Sequence, residues 1–168
     1  MTSPFGIAPY STPALGSAKY FVSFESVPKP HPDLKSYSGF WEPGKGIVKI
    51  TGRSATFEDD GYATAARRLY DKMKRQLTGV YGNPEVREYV FDEVWEDEKD
   101  FCMSIEQGER SHTCSWSRSN SDLPDAIEEI WLTIASEDGY EQSYVMLAYQ
   151  FVGADDGTAG DDLGLDSL

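Results

Sequence analysis

Apolar residues between Tyr62 and Val80 recur at intervals of three and four positions, the spacing of one face of an α-helix. The basic side chains of this stretch fall on the opposite face. An aspartate at 59–60 can cap the start of the helix, and Gly79 or Gly82 can end it. The pattern predicts a long amphipathic helix packed on a sheet. Its apolar stripe comprises Tyr62, Ala66, Leu69, Met73, Leu77 and Val80.

Three stretches before this helix are rich in aromatic and β-branched residues, which favour strands. The first is Tyr20–Val27, and Tyr37–Glu42 and Gly46–Phe57 form a hairpin because a Pro-Gly pair between them favours a tight reversal. The segment VPKPHPDL follows the first strand, and its prolines favour an extended path. It is either a stiff connection between strands or a recognition motif for an aromatic groove.

Two further stretches near the end of the sequence, Ile127–Glu137 and Tyr140–Val152, flank an Asp-Gly pair. Asp-Gly is typical of a two-residue hairpin turn, which places Leu132 opposite Val145. Both faces of this hairpin carry apolar side chains, so we expect it at the centre of the sheet. The basic helix covers one face. The other face needs a second cover, such as the N-terminal arm, the acidic helix or a partner chain.

The remaining elements complete an α+β fold. Val86–Val94 and the strictly alternating Arg110–Ser117 predict strands, and Trp95–Gly108 predicts a short acidic helix. We therefore expect a mainly antiparallel sheet of five to seven strands, with one long amphipathic helix packed on it and a second short acidic helix.

The chain divides into three predicted regions. Residues 1–19 form an N-terminal arm rich in Pro, Ser and Gly, and residues 20–152 form a single α+β domain. Residues 153–168 combine Gly and Asp without any aromatic residue, which predicts a flexible acidic tail.

Charge is distributed unevenly along the 168 residues, whose net charge is −14. Residues 61–82 hold five basic residues against one acidic residue, whereas residues 83–168 hold four basic and 22 acidic residues. Direct binding to nucleic acid or to an anionic membrane is therefore disfavoured. Two cysteines and the lack of a long apolar run predict a cytoplasmic protein without a transmembrane helix.

The acidic half suggests a non-catalytic binding module for a basic partner, such as a nucleic-acid-binding protein complex. One version is a phage-type inhibitor of a defence complex, an anti-CRISPR for example, in which carboxylates act as a DNA mimic in place of phosphates. The simpler interpretation is an acidic surface that only keeps the protein from aggregating. The candidate partner-binding residues are Glu93, Glu96, Asp97, Glu98, Asp100, Glu128, Glu129 and Trp41.

Two alternatives remain open. The chain is an immunity or accessory protein that binds through the exposed aromatics Trp41, Phe40 and Tyr37, or it is a small enzyme or ligand-binding fold with His112 in a pocket. A homodimer is a further option. Charge-driven binding weakens as salt rises, whereas binding through aromatic surface tolerates salt.

Catalytic chemistry has little support in the sequence. Familiar motifs such as G-x-S-x-G, H-E-x-x-H, C-x-x-C and G-x-G-x-x-G do not occur. Cys102, His112 and Cys114 could supply three zinc ligands, but a fourth ligand is missing. We therefore expect no enzymatic activity, no cofactor and no metal site.

Five sequence features stand out together between residues 20 and 152. They are VPKPHP leading to an aromatic-rich strand, GIVKI, the helix between GY and YG, a Trp-led helix that ends in ER before a Trp-containing strand, and a strand pair that begins with LPDAIEEIWL. In these features the chain resembles a loose group of small, uncharacterised bacterial and phage-associated proteins. The resemblance implies a single α+β domain and supplies no catalytic or binding residue.

Overall fold

A computed structural model describes residues 19–137 and 140–153. This part of the chain contains seven strands and two helices, with three strands before the first helix, one between the helices and three after the second. Short 3-10 turns at Glu93–Trp95 and Glu98–Asp100 precede the second helix. The elements are β1 (Tyr20–Phe24), β2 (Ser36–Glu42), β3 (Gly46–Arg53), α1 (Thr64–Tyr81), β4 (Glu85–Val90), α2 (Phe101–Glu106), β5 (Arg110–Ser117), β6 (Ile127–Glu137) and β7 (Gln142–Phe151).

All seven strands form one antiparallel sheet in the order β1-β2-β3-β7-β6-β5-β4. The predicted α+β class and antiparallel sheet are confirmed, and β6 and β7 lie at its centre as expected. The strand predicted at Val86–Val94 is shorter, because β4 ends at Val90. The predicted arm and acidic tail lie, apart from residues 19 and 153, outside the described residues.

Both helices pack on the same face of the sheet, which we call the helix face. Tyr70 of α1 and Phe101 of α2 belong to one core cluster with Trp116, Leu132 and Leu147 of the strands. Packing of this kind removes apolar surface from water and supplies most of the stability. The acidic helix therefore does not cover the opposite face. That face carries a small buried cluster of Ala135, Tyr144 and Met146.

The apolar stripe predicted for α1 is partly wrong. Ala66, Tyr70 and Met73 are its buried residues, whereas Tyr62 and Val80 are exposed. The helix therefore turns a face centred on Tyr70 toward the sheet. The predicted stripe used Leu69 instead of Tyr70 at this turn, and neighbouring positions on a helix point about 100° apart.

The register predicted for the β6–β7 hairpin is wrong by two residues. Leu132 lies opposite Leu147 rather than Val145, and Glu137 lies opposite Gln142. Four residues, 138–141, therefore connect the strands, and the Asp-Gly pair lies outside the described residues. A shift of two positions keeps each side chain on its predicted face of the sheet.

The predicted acidic helix is also shorter than expected. Trp95–Gly108 contains regular helix only at Phe101–Glu106, after the two 3-10 turns. Gly108 follows it with φ of 73°, as expected for a glycine that ends a helix. Within the described residues, no helix combines the length and apolarity needed to cross a membrane.

Candidate partner-binding surface

The acidic segment, residues 91–100, connects β4 to α2. Its sequence, FDEVWEDEKD, contains six carboxylates and one lysine. Asp92 and Asp97 accept hydrogen bonds from the backbone N–H groups of Val94 and Lys99, both at 3.0 Å. Each aspartate thereby caps one of the 3-10 turns, so two of the six acids have a structural role. Sequence and local hydrogen bonding together fix this segment as two short turns.

The pKa of Asp97 lies below its usual value because the backbone N–H of Lys99, and then the Lys99 ammonium, bind the carboxylate. Its side chain remains ionised at neutral pH. The segment thus keeps its negative charge while it is locally ordered.

Arg110, the first residue of β5, holds the acidic segment against the body of the protein. Its Nη2 donates to the Trp95 carbonyl at 2.7 Å, and its Nε donates to Ser104 Oγ at 2.8 Å. Its guanidinium also lies 4.7 Å from the ring centroid of Phe101. A second contact joins Arg67 of α1 to Glu98 at 3.3 Å. These contacts hold the segment at the carboxyl end of β4.

The acidic segment directs most of its carboxylates into solvent. Glu93, Glu96 and Glu98 are exposed. Exposed apolar side chains lie among them: Phe91 and Val94 keep 62% and 71% of their surface accessible. The Phe91 ring also packs edge-on against exposed Tyr89, with centroids 5.0 Å apart. Aromatic anchors surrounded by charge are typical of protein-binding surfaces.

The predicted acids Glu128 and Glu129 lie elsewhere. They begin β6, where Glu129 pairs with Ser117 at the end of β5, whereas the acidic segment leads toward the start of β5. The length of β5, about 3.3 Å per residue, separates the two groups. Glu128 lies 3.4 Å from Arg118. Burial raises the pKa of Glu129. The structure therefore does not join these acids to the acidic segment.

Trp41 and its neighbours in the first hairpin lie farther away, on β2. Trp41 is half-buried, packs against the core cluster and lies 5.7 Å from the Tyr20 ring. Tyr37 is buried, and its hydroxyl accepts a hydrogen bond from the His31 N–H at 2.7 Å. The expectation of an exposed aromatic surface there is wrong for Tyr37. Tyr89 and Phe91 form an exposed aromatic pair that sequence reasoning missed, and Tyr20 and Phe21 of β1 are exposed as well.

A partly buried polar cluster lies between α1 and the β4–β5 edge of the sheet, with Tyr70 fully buried and Glu88 reaching the surface. The Tyr70 hydroxyl donates to Glu88 at 3.0 Å, and Lys74 Nζ donates to the same carboxylate oxygen at 2.6 Å. The His112 ring packs edge-on against Tyr70, with centroids 4.6 Å apart. Burial alone would raise the pKa of Glu88, but the hydrogen bonds from Lys74 and Tyr70 leave that pKa below its usual value.

The chemistry of this cluster favours neutral, unreactive groups. Burial raises the pKa of Cys114 to about 11, so its thiol is protonated and a poor nucleophile at neutral pH. Burial also raises the pKa of Cys102 and lowers that of His112. Among the described residues, no three His, Cys, Asp or Glu side chains are placed to hold a metal ion.

His112→Phe should reduce the loss of stability on acidification. The pKa of His112 lies below its usual 6.5, mainly because of burial. The unfolded chain therefore takes up this proton first, and stability falls as the pH drops below about 6.5. Phenylalanine retains the aromatic contacts and takes up no proton. Urea unfolding at about pH 7 and about pH 5 measures the difference, and an equal loss in both proteins would contradict this assignment.

A shallow cavity of about 240 Å³ lies between the proline-rich segment and α1. Its floor is apolar, and it does not include His112. Pockets that hold small ligands are usually larger and combine an apolar lining with a few polar groups that converge. The lining residues are Lys29, Pro30, His31, Pro32, Met73, Gln76, Leu77, Leu147 and Tyr149.

Comparison of the chain with family models, with curated proteins and with solved structures gives no significant match.

Proposed function

We propose that this protein is a non-catalytic binding module whose acidic segment engages a basic partner protein. The observation that supports this most is the ordered, outward-facing group of carboxylates at residues 91–100, with exposed Phe91 and Val94 among them. Carboxylates steer the encounter with a positive surface, and apolar side chains add affinity once water is excluded. Exposed apolar side chains also occur elsewhere, at Phe21 and Tyr62 for example, so it is the position of Phe91 and Val94 among the carboxylates that favours a binding surface.

The packing of the partly buried polar cluster around Tyr70 is consistent with a non-catalytic role. His112 lies against Tyr70 and Phe101, and the neighbouring thiol of Cys114 is held protonated. A catalytic base and nucleophile need access to substrate and pKa values near the working pH. The proposal therefore assigns these groups to the stability of the α1–sheet contact.

The reversal of two charges, Glu93→Lys with Glu96→Lys, should weaken partner binding about tenfold at about 0.1 M salt. Both side chains are exposed and neither side chain caps a turn; Glu96 closes the first 3-10 turn only through its backbone N–H, which the substitution keeps. The matched control, Asp122→Lys with Asp125→Lys, makes the same charge change on exposed residues before β6. Partner captured from the native host is quantified by mass spectrometry for each protein.

The salt dependence provides the second half of this test. At about 1 M salt the screening length falls to about 3 Å, so the wild-type protein should release most of the partner. Equal capture by the two double variants would contradict the role of the acidic segment. Capture that does not change with salt would contradict a charge-driven contact altogether.

The more specific form of the proposal is an inhibitor that occupies the nucleic-acid groove of a basic, nucleic-acid-handling partner. Its carboxylates would take the positions of phosphates, and this version predicts competition. Addition of the protein to the captured partner should displace a labelled oligonucleotide, and the Glu93→Lys, Glu96→Lys variant should displace less. Simultaneous binding of oligonucleotide and protein would contradict the inhibitor version alone.

A further inference from the structure

The outer edge of β4 offers unpaired backbone groups beside the acidic segment. β4 is the terminal strand of the sheet, and within the described residues only β5 pairs with it. Residues 85–89 are all exposed, although the Glu88 carboxylate is held by Tyr70 and Lys74 on the helix face. Exposed strand edges are templates for another strand, and proteins commonly cover or charge them.

The register identifies which backbone groups point outward. The Phe91 N–H donates to the Glu109 carbonyl at 2.9 Å, so Phe91 directs its N–H toward β5. In an antiparallel pair, alternate residues direct both backbone groups to the partner strand, and the residues between them direct both groups away. The outward groups of β4 therefore belong to Val86, Glu88 and Val90.

We infer that this edge binds an extended segment of the basic partner by antiparallel strand addition, with the Lys and Arg residues of that segment at its amino end. This inference rests on the proposed function and specifies how the partner is held. An antiparallel strand would place its amino end at the carboxyl end of β4. At that end the basic residues of the added segment would lie beside Asp92 and Glu93, which are exposed and come shortly after β4.

Side chains at the edge suit the remainder of such a segment. Val86 and Tyr89 each keep 47% of their surface accessible, on opposite faces of the sheet. Phe91 lies on the same face as Tyr89 and in contact with it. An added strand presents alternate side chains to these two faces, so apolar or β-branched residues after the basic ones would pack on them.

A second copy of the chain fits this edge less well than a basic segment. Two-fold antiparallel pairing centred on Glu88 or Arg87 would place like charges opposite each other, whereas pairing centred on Val86 or Tyr89 would not, so the main obstacle to a second copy is overall charge. Like charges directly across a strand pair are destabilising. Two copies with a net charge of −14 each also repel one another.

The first test uses the synthetic peptide KRKVTVTV and hydrogen exchange of the intact protein. We expect the peptide to slow exchange at the amides of Val86, Glu88 and Val90, with little change at Arg87 and Tyr89, which already face β5. The reversed peptide VTVTVKRK should bind more weakly. Stronger binding of the reversed peptide would overturn the antiparallel assignment.

The second test removes one outward N–H. Val86→Pro deletes a backbone donor that faces solvent and leaves the β4–β5 hydrogen bonds in place, so we expect about a tenfold loss of peptide affinity. Val86→Ala shortens the same side chain but keeps the donor, and should bind almost as well as wild type. Equal binding by the proline variant would overturn strand addition.

Other outcomes separate this inference from the proposed function. If the peptide fails to bind, while charge reversal at Glu93 and Glu96 abolishes capture of the native partner, strand addition is wrong and the acidic surface stands. If the peptide does not bind and charge reversal does not change capture of the partner, the strand-addition inference and the proposed function are both wrong. Protection of the edge amides by self-association, in the absence of peptide, would make a second copy the occupant and overturn the inference.

Discussion

Trp116→Ala should lower the free energy of unfolding by about 3–5 kcal/mol. Trp116 is completely buried on the helix face, and its indole N–H donates to the Gly82 carbonyl at 2.8 Å. Gly82 follows the last turn of α1, so this one side chain fills the core and holds the end of the helix to the sheet. Truncation leaves a cavity and removes the donor of a carbonyl at the same time.

A second tryptophan provides the control for this prediction. Trp131 lies on the neighbouring strand β6, on the opposite face of the sheet, and is only half-buried. Trp131→Ala should therefore cost clearly less than Trp116→Ala in urea unfolding. Similar losses for the two variants would mean that burial on the helix face is not what makes Trp116 important.

Arg110→Ala is expected to loosen the acidic segment and to lower stability by about 2–3 kcal/mol. The alanine variant loses both hydrogen bonds of the guanidinium and its contact with the Phe101 ring. Because the Trp95 carbonyl then lacks its donor, hydrogen exchange across residues 92–100 should accelerate. Partner binding should weaken as well, since the carboxylates would no longer be held in one arrangement.

Two further variants test how Arg110 acts. Arg110→Lys keeps the positive charge but cannot donate to Ser104 and Trp95 with the planar geometry of a guanidinium, so it should recover only part of the effect. Arg118→Ala removes an arginine that bonds the carbonyls of Pro124 and Asp125 in an exposed loop, and should leave the acidic segment unchanged. Unchanged exchange in Arg110→Ala would contradict the positioning role.

Periodicity in the sequence was enough to predict most elements of the fold. The sequence of β5 alternates small polar residues with His112, Cys114 and Trp116, which predicts a strand, and the Pro-Gly pair between β2 and β3 marks a turn. These signals are local, because each depends on the residues of one element. Tyr70 was missed because Leu69 also continues the spacing of three and four at that turn, and periodicity alone does not decide which of the two faces the sheet.

Register and site geometry depend on residues far apart in the chain, so sequence patterns constrain them less. The Asp-Gly pair suggested a two-residue turn, but the four-residue connection before Gln142 moves every pair in the β6–β7 hairpin by two positions. Charge was easy to read from the sequence. The distribution of charge in space could not be predicted in the same way, because only the strand order shows that Glu128 lies at the opposite end of β5 from the acidic segment.

The place of β7 in the sheet has a consequence for how the chain folds during synthesis. β7 is the last strand in chain order among the described residues, yet it lies between β3 and β6, so it joins segments made at very different times. Until residues 142–151 leave the ribosome, β3 and β6 each lack their neighbour β7 and expose the unpaired backbone groups of a strand edge. Such late closure makes folding slow and leaves the nascent chain dependent on protection from aggregation.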